Sequence, residues 1–426
     1  MAWVWGAGLI SEAVYLAAAL RLPWWRYGGT LTSWSGVLGR DWKPFTACLA
    51  AVVVLMAAYL LGWRALRAGR VGRRIVWGFT LLFAATLFWL MPITSDLFTY
   101  LTRAHLFTDL DANPLRAAPA DFANDRLLWA YPTQYATKAS VYGPAWALLS
   151  APATVGRHDV VGGLLYLKGL AVLAYLGCAW CLERILQQLR PESATEMVFL
   201  FAWNPLVLTM GVGDGHNDLV MMATVLLAIW LLLQERWTLA FGTLALSVWV
   251  KYASVLYFPL IVIYAWWRLG ERQGRDPRPV LLRGGLAAAA VSVLVFLPFW
   301  RPAWIVEVAE RLLWPDNWHG GGTGWSAWLM GAGLLLFAAI YGLLLWRVSQ
   351  ARGSFRRLAD AALEVTLLAF ALGVARSQPW HLIWPVAMAG FSSRRWAWPV
   401  VVGLSAVMLL AQVWVEWGAV GVGSLP

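Results

Sequence analysis

A carboxylate at the edge of an apolar run can act as a general base on a substrate held at a membrane surface. Asp96 in Thr94-Ser95-Asp96-Leu97-Phe98-Thr99-Tyr100 is such a residue. Ser95 reads as an N-cap, so a helix is expected from Asp96 to about Thr108. Asp96, Tyr100, Arg103 and Phe107 then share one face. The helix-start position favours the ionised carboxylate. The competing reading is an aspartate that serves only the helix start. His105, Asp109, Asp111 and the turn Asn113-Pro114-Leu115 follow in the same segment.

Other segments carry complementary chemistry. Tyr142-Gly143-Pro144-Ala145-Trp146 reads as a tight turn opening a short helix. In Gly211-Val212-Gly213-Asp214-Gly215-His216-Asn217-Asp218 the glycines end one helix and Asp218 can cap the next. Amides exposed at that helix start could bind an anion. Capping does not explain His216. The glycine spacing is not a dinucleotide fingerprint, since no strand precedes it. Lys251-Tyr252 sits inside a long apolar stretch, where a lysine is costly unless it meets water or an anion, or snorkels outward. Arg376-Ser377-Gln378-Pro379-Trp380-His381 forms a polar turn between apolar runs. Segment 301–324 holds Arg301, Trp304, Trp314, Trp318 and His319 before three glycines. Its aromatics would stack on a sugar or isoprenoid, or form an interfacial belt. Cys178 and Cys181 lie in an apolar run without polar company and read as buried packing residues.

The elements that must hold these groups are membrane helices. Of the 426 residues, 61% are hydrophobic and 13% charged, which excludes a water-soluble globule and a disordered chain. Apolar runs lie at 2–20, 45–63, 75–93, 160–182, 197–211, 217–233, 238–250, 252–267, 284–300, 325–346, 361–375, 380–391 and 396–417. They predict an all-α polytopic bundle of about 12–14 spans, in a single domain over 1–426. The first run reads as a retained helix rather than a signal peptide. Residues 141–156, shortened by Pro144 and Pro152, read as a re-entrant or interfacial helix before a span at 160–182. The alternative places 183–196 on the outer side.

The net charge of +11 comes largely from short loops, which is a topology signal and not a nucleic-acid one. Segments 64–74, 268–283 and 347–357, with Arg394 and Arg395, are basic and expected on the cytoplasmic side. Segments 94–140, 211–218, 301–324 and 376–381 then face outward. They carry four of the five histidines. Segregating titratable chemistry onto one face points to an active site at the outer surface.

In order, SDLFTY at 95–100, NPL at 113–115, YGPAW at 142–146, WNPLVL at 203–208, GDGHND at 213–218, VKY at 250–252 and QPWH at 378–381 resemble the GT-C superfamily of integral-membrane glycosyltransferases. They are most similar to bacterial polyprenyl-phosphate-mannose-dependent α-1,6-mannosyltransferases. The resemblance implies an inverting enzyme with a lipid-linked sugar donor and a glycan or glycolipid acceptor, both met at the outer face. Asp96 is the expected catalytic base. Tyr100, Arg103, His105, Tyr142, His216, Asn217, Asp218, Lys251, Tyr252, Arg301, Gln378, Trp380 and His381 are the expected substrate-binding residues. Among them Lys251, His216, His381 and Arg301 are expected on the donor phosphate. No cofactor is implied, although the acidic residues leave a divalent metal open. The chain departs from the superfamily pattern in having about three apolar runs before the acidic motif, which reads as an added N-terminal hairpin over 1–74. A lipid-linked-glycan ligase or polymerase, and a transporter or flippase, are the competing classes. The absence of a convincing internal repeat and the one-sided polar chemistry speak against a transporter.

Overall fold

A computed structural model describes residues 2–27, 34, 41–69, 72–122, 124–125, 136–155, 160–300, 325–372 and 377–419. Among these residues the secondary structure is helical throughout, save one isolated bridge between Pro23 and Leu90. Seven helices are long and apolar enough to cross a membrane: Ala2–Arg21, Trp42–Ala68, Val160–Leu189, Tyr252–Arg272, Pro277–Phe299, Gly331–Gln350 and Ala397–Trp417. The all-α, multi-pass expectation therefore holds. The remaining runs make shorter helices. Asp218–Leu233, at 16 residues, spans about 24 Å, less than the roughly 30 Å of a hydrocarbon core, and packs inside the bundle. The 380–391 run splits into a 3₁₀ turn and the seven-residue helix Ile383–Ala389.

The 197–211 run is broken because Pro205 has no N–H to continue a helix. Asn204 takes over, its Oδ1 accepting from Leu206 N at 2.9 Å and Val207 N at 3.4 Å. Pro191–Ala202 and Val207–Gly213 consequently meet at 63°. The second piece is a π-helix that delivers the chain to Asp214. The run at 141–156 becomes Pro144–Ser150 followed by a 3₁₀ turn, both largely buried.

The basic loops meet at one end of the bundle. Arg73 pairs with Glu183 at 2.5 Å, Arg67 with Glu196 at 3.5 Å and Arg352 with Glu271 at 3.3 Å. Arg190 donates to Ser392 O at 3.0 Å, and Arg394 binds Glu364. Segment 183–196 thus lies at the same end as 64–74. On the helix Val160–Leu189, Glu183 marks this end. Lys168, fifteen residues earlier and about 22 Å away along the axis, touches the segment leading to Asp214. The turn that carries Asp214 and His216 lies at that second end.

Candidate active site

The helix predicted at Asp96 runs from Asp96 to Thr108. Its start is organised differently from expectation. The Ser95 side chain makes no cap bond, and the Asp96 N–H instead donates to Thr94 Oγ1 at 3.4 Å. Thr94 also binds Asp214 through N at 2.8 Å and Oγ1 at 2.9 Å. The turn 214–217 is thereby fastened beside Asp96. Gly215 has φ +78° in that turn, and a Cβ there would fall 2.8 Å from Leu97 Cδ1. Only glycine suits both demands.

Four side chains form a row. His216 Nε2 is 2.8 Å from Asp214 Oδ2, and His216 Nδ1 is 3.4 Å from Asp96 Oδ2. Tyr142 donates its hydroxyl to Asp96 Oδ2 at 3.3 Å. All four residues are buried. The Trp380 ring stacks on the His216 imidazole, centroids 4.0 Å apart and planes 18° apart, which suits a cationic ring. Burial opposes charge on His216, but the Asp214 carboxylate, with Asp96 beside it, prevails and raises its pKa above the ordinary imidazole range. Burial also raises the pKa of Asp96, against the lowering effect of His216. The helix-start argument for a readily ionised Asp96 is therefore corrected: desolvation outweighs the helix end.

A second group lies alongside. Both Asp218 oxygens accept from Lys251 Nζ at 2.8 Å, and Trp384 Nε1 donates to Asp218 Oδ1 at 2.5 Å. Asp218 is thus the partner of Lys251, and its side chain does not cap its own helix. Lys251 is likewise not an unpartnered charge. It ends the helix Trp237–Val250 and lies over the rings of Trp384 at 5.4 Å and Tyr142 at 6.0 Å. The YGPAW turn is locked to the same place: Gly143 N donates to Val250 O at 3.3 Å, and a Cβ on Gly143 would fall 2.1 Å from Trp249 O. Sequence spacing marks that turn as structural, and the fold makes it also the carrier of Tyr142.

Tyr100, one turn after Asp96, donates to Asn217 Oδ1 at 3.3 Å and packs edge-on against Tyr142 and Trp146. Arg103 is buried, with Nη2 donating to Lys138 O at 3.0 Å. Its Nε and Nη1, together with Asn217 Nδ2, have no hydrogen-bond partner among the described residues. Gln378 and His381 cap their own 3₁₀ turn, the Gln378 N–H donating to His381 Nδ1 at 3.3 Å. Burial, and then the Lys251 charge, lower the His381 pKa to about 3. The expected cation on the donor phosphate is accordingly a neutral imidazole.

Of the remaining expected members, His105 stands apart, whereas Tyr252 directly follows Lys251. His105 bridges Asp109 at 2.5 Å and Asp125 at 3.0 Å, away from the Asp96 row. Tyr252 packs edge-on to Trp249. Arg301, the Trp-rich segment 301–324 and Arg376 lie outside the described residues. Sequence reasoning passed over Asp214, Thr94 and Trp384 as site residues, although Asp214 and His216 stand two apart in one glycine-rich turn. Among the described residues no group of three or more His, Cys, Asp or Glu could hold a metal ion.

The family model described as "Alpha-(1->6)-mannopyranosyltransferase, N-terminal domain" matches residues 4–268, more than half of the chain. The chain belongs to this family. It is an enzyme, a multi-pass membrane glycosyltransferase of the GT-C kind. It is also 27% identical to "Alpha-(1->6)-mannopyranosyltransferase A" of Mycobacterium tuberculosis (strain ATCC 25618 / H37Rv), over 95% of this chain and 80% of that protein. The matched segment contains the Asp96 row, Tyr142, the 214–218 turn and Lys251, whereas Trp380, His381 and Trp384 lie beyond it.

Proposed function

We propose that this glycosyltransferase moves mannose from a polyprenyl-phosphate donor to a hydroxyl of a lipid-linked or cell-envelope glycan, forming an α-1,6 linkage with inversion at the anomeric carbon. The observation that carries the reading is a buried carboxylate, Asp96, 3.4 Å from a histidine that a second carboxylate holds from behind. Asp96 takes the acceptor proton as the hydroxyl attacks, and the anomeric bond to phosphate breaks. His216, charged through Asp214, lowers the cost of the ionised Asp96 that takes the proton. The leaving phosphate requires donors whose bonds are not already spent. Arg103 Nε and Nη1 and Asn217 Nδ2 have that property, and Lys251 adds charge from the Asp218 pair. Arg103 thus joins Lys251 at the phosphate in place of the cation expected at His381. Tyr142 and Trp380 supply surfaces for a sugar ring.

The reaction is assigned to the extracytoplasmic face. The support is the distance of about 22 Å along one helix between the Asp96 end and the end where the arginine loops 64–74, 268–283, 347–357 and 394–395 make their contacts, combined with the tendency of such loops to stay cytoplasmic. The partners are then a lipid-linked donor, a glycan or glycolipid acceptor and the bilayer.

Purified enzyme in detergent should transfer radiolabelled mannose from polyprenyl-phosphate-mannose to an α-mannoside acceptor, and EDTA should leave the rate unchanged. Transfer from a nucleotide sugar but not from the lipid donor would overturn the donor assignment. Impermeant labelling of a cysteine placed at position 70 in intact cells would overturn the sidedness.

A further inference from the structure

Lys168 lies on the membrane helix Val160–Leu189 and is 1% exposed. Its Nζ donates to Leu87 O at 3.0 Å and Leu90 O at 2.8 Å, and to Val212 O at 3.3 Å and Gly213 O at 2.5 Å. Three ammonium hydrogens are thus shared among four carbonyls from two separate stretches of chain. Both stretches are helix ends. Leu87 lies in the last turn of Arg73–Phe88, and Val212 and Gly213 close the π-helix Val207–Gly213. The last carbonyls of a helix lack intrahelical partners and carry its negative end. Here the two ends meet around one side chain that offers donors to both. A carboxamide or hydroxyl has too few hydrogens for four acceptors.

Each stretch enters the site at once. Leu90 is four residues before Thr94, and Gly213 directly precedes Asp214. The next link between the two chains is the Thr94–Asp214 pair at 2.8 and 2.9 Å, and the one after it is the 3.4 Å approach of His216 to Asp96. We infer that Lys168 is a positioning residue: by drawing two helix ends onto one ammonium, it sets the separation of the Asp96 segment from the Asp214–His216 turn. This rests on the reading of Asp96 as base. Lys168 touches neither substrate nor the reacting atoms.

The groups facing Asp96 arrive on different elements. His216 and Asp214 come from the turn beside it, Tyr142 from the YGPAW turn, and Asp218 and Lys251 from two helix ends that hold each other. His381 acts on Asp218 and, like Lys251, belongs to the second group. If the Lys168 junction loosens, His216 and Asp214 retreat together while the Asp218–Lys251 pair stays. Of the two that retreat, His216 has the larger effect on Asp96 and lowers its pKa. Asp96 then titrates at higher pH.

The test compares full-length wild type with Lys168→Met, a side chain of similar length without donors, in detergent and per folded molecule by gel filtration. Lys168→Met should lose at least about tenfold in kcat, as expected of a displaced base. Donor KM should stay within about threefold, because no substrate contact is removed. The acid limb of the kcat–pH profile should move to higher pH. A lower rate with an unmoved limb would mean fewer active molecules and would overturn the inference, as would a wild-type rate. Lys168→Gln is the second variant and should show the same limb shift. Failure of both variants to fold would assign Lys168 to fold integrity alone. Wild-type transfer with an unmoved limb in the variants sinks only this inference, whereas a wild type inert toward the lipid donor removes the reading beneath it.

Discussion

Replacing Asp96 by Asn separates catalysis from architecture because the structure leaves Asp96 so few structural duties. The helix start is held by Thr94 Oγ1, which accepts from the Asp96 N–H and is untouched by the change. Asn can still accept from Tyr142, which Asp96 meets at 3.3 Å, and still face His216 Nδ1 at 3.4 Å. Burial already disfavours the charge. Removing it should therefore change stability by roughly 1 kcal/mol or less. Catalysis should respond quite differently. A lost general base is typically worth about 10²–10⁴-fold, which is roughly 3–5 kcal/mol of barrier. Asp96→Asn should thus melt within a few degrees of wild type, keep its donor KM and lose at least about a hundredfold in kcat. The assay is radiolabelled mannose transfer with donor varied, alongside a thermal melt in the same detergent. Near-normal turnover in the folded variant would refute the reasoning. Asp109 and Asp111 are poor replacements, since Asp109 is bound to His105 and Asp111 sits exposed with φ +46°.

The kcat of the wild type should fall on the acid side at a pH above the ordinary aspartate range, because burial raises Asp96 and its protonation removes the base; an acid limb at or below about pH 4 would contradict this. Folding has the complementary dependence. The stability that His216 gains by charging is complete below its unfolded pKa of about 6.5 and is lost as pH rises through its raised folded value, so melting temperature should drop on the alkaline side and Asp214→Asn should flatten that drop. Lys251→Met strands Asp218, which is fully buried, and should destabilise by about 3–5 kcal/mol; Lys251→Met combined with Asp218→Asn should recover most of the stability but not donor use. Gly143→Ala drives a Cβ to 2.1 Å from Trp249 O and should cost about 1–3 kcal/mol and displace Tyr142, read as a lower melting temperature and a lower kcat.

The parts of this protein that could be read from its sequence are those fixed by local chemistry. Apolar length gave the membrane helices, while the break at Pro205 inside the run 197–211 came only with the fold. Asp96, His216 and Lys251 stood out because each is an ionisable group where an apolar run gives no reason for one. What could not be read was pairing. Lys251 looked like a charge awaiting an anion, yet its anion is Asp218, thirty-three residues earlier, and Asp218 was credited to a helix cap. His381 looked like a cation, yet its burial, and then a neighbouring ammonium, keep it neutral, and its own segment shows neither.

Lys168 is the sharpest instance of the same gap. It satisfies the criterion that singled out Lys251, a lysine within an apolar run, yet the span 160–182 was read without it. Its partners are four backbone carbonyls, and no residue type announces a carbonyl. The two helices that end at those carbonyls are separated by about 120 residues of chain, so only the folded bundle brings them together. A buried lysine that lacks a carboxylate in the sequence should accordingly be matched against helix C-termini before it is set aside as a tolerated charge. Here that match leads straight to the segments that hold Asp96 and His216.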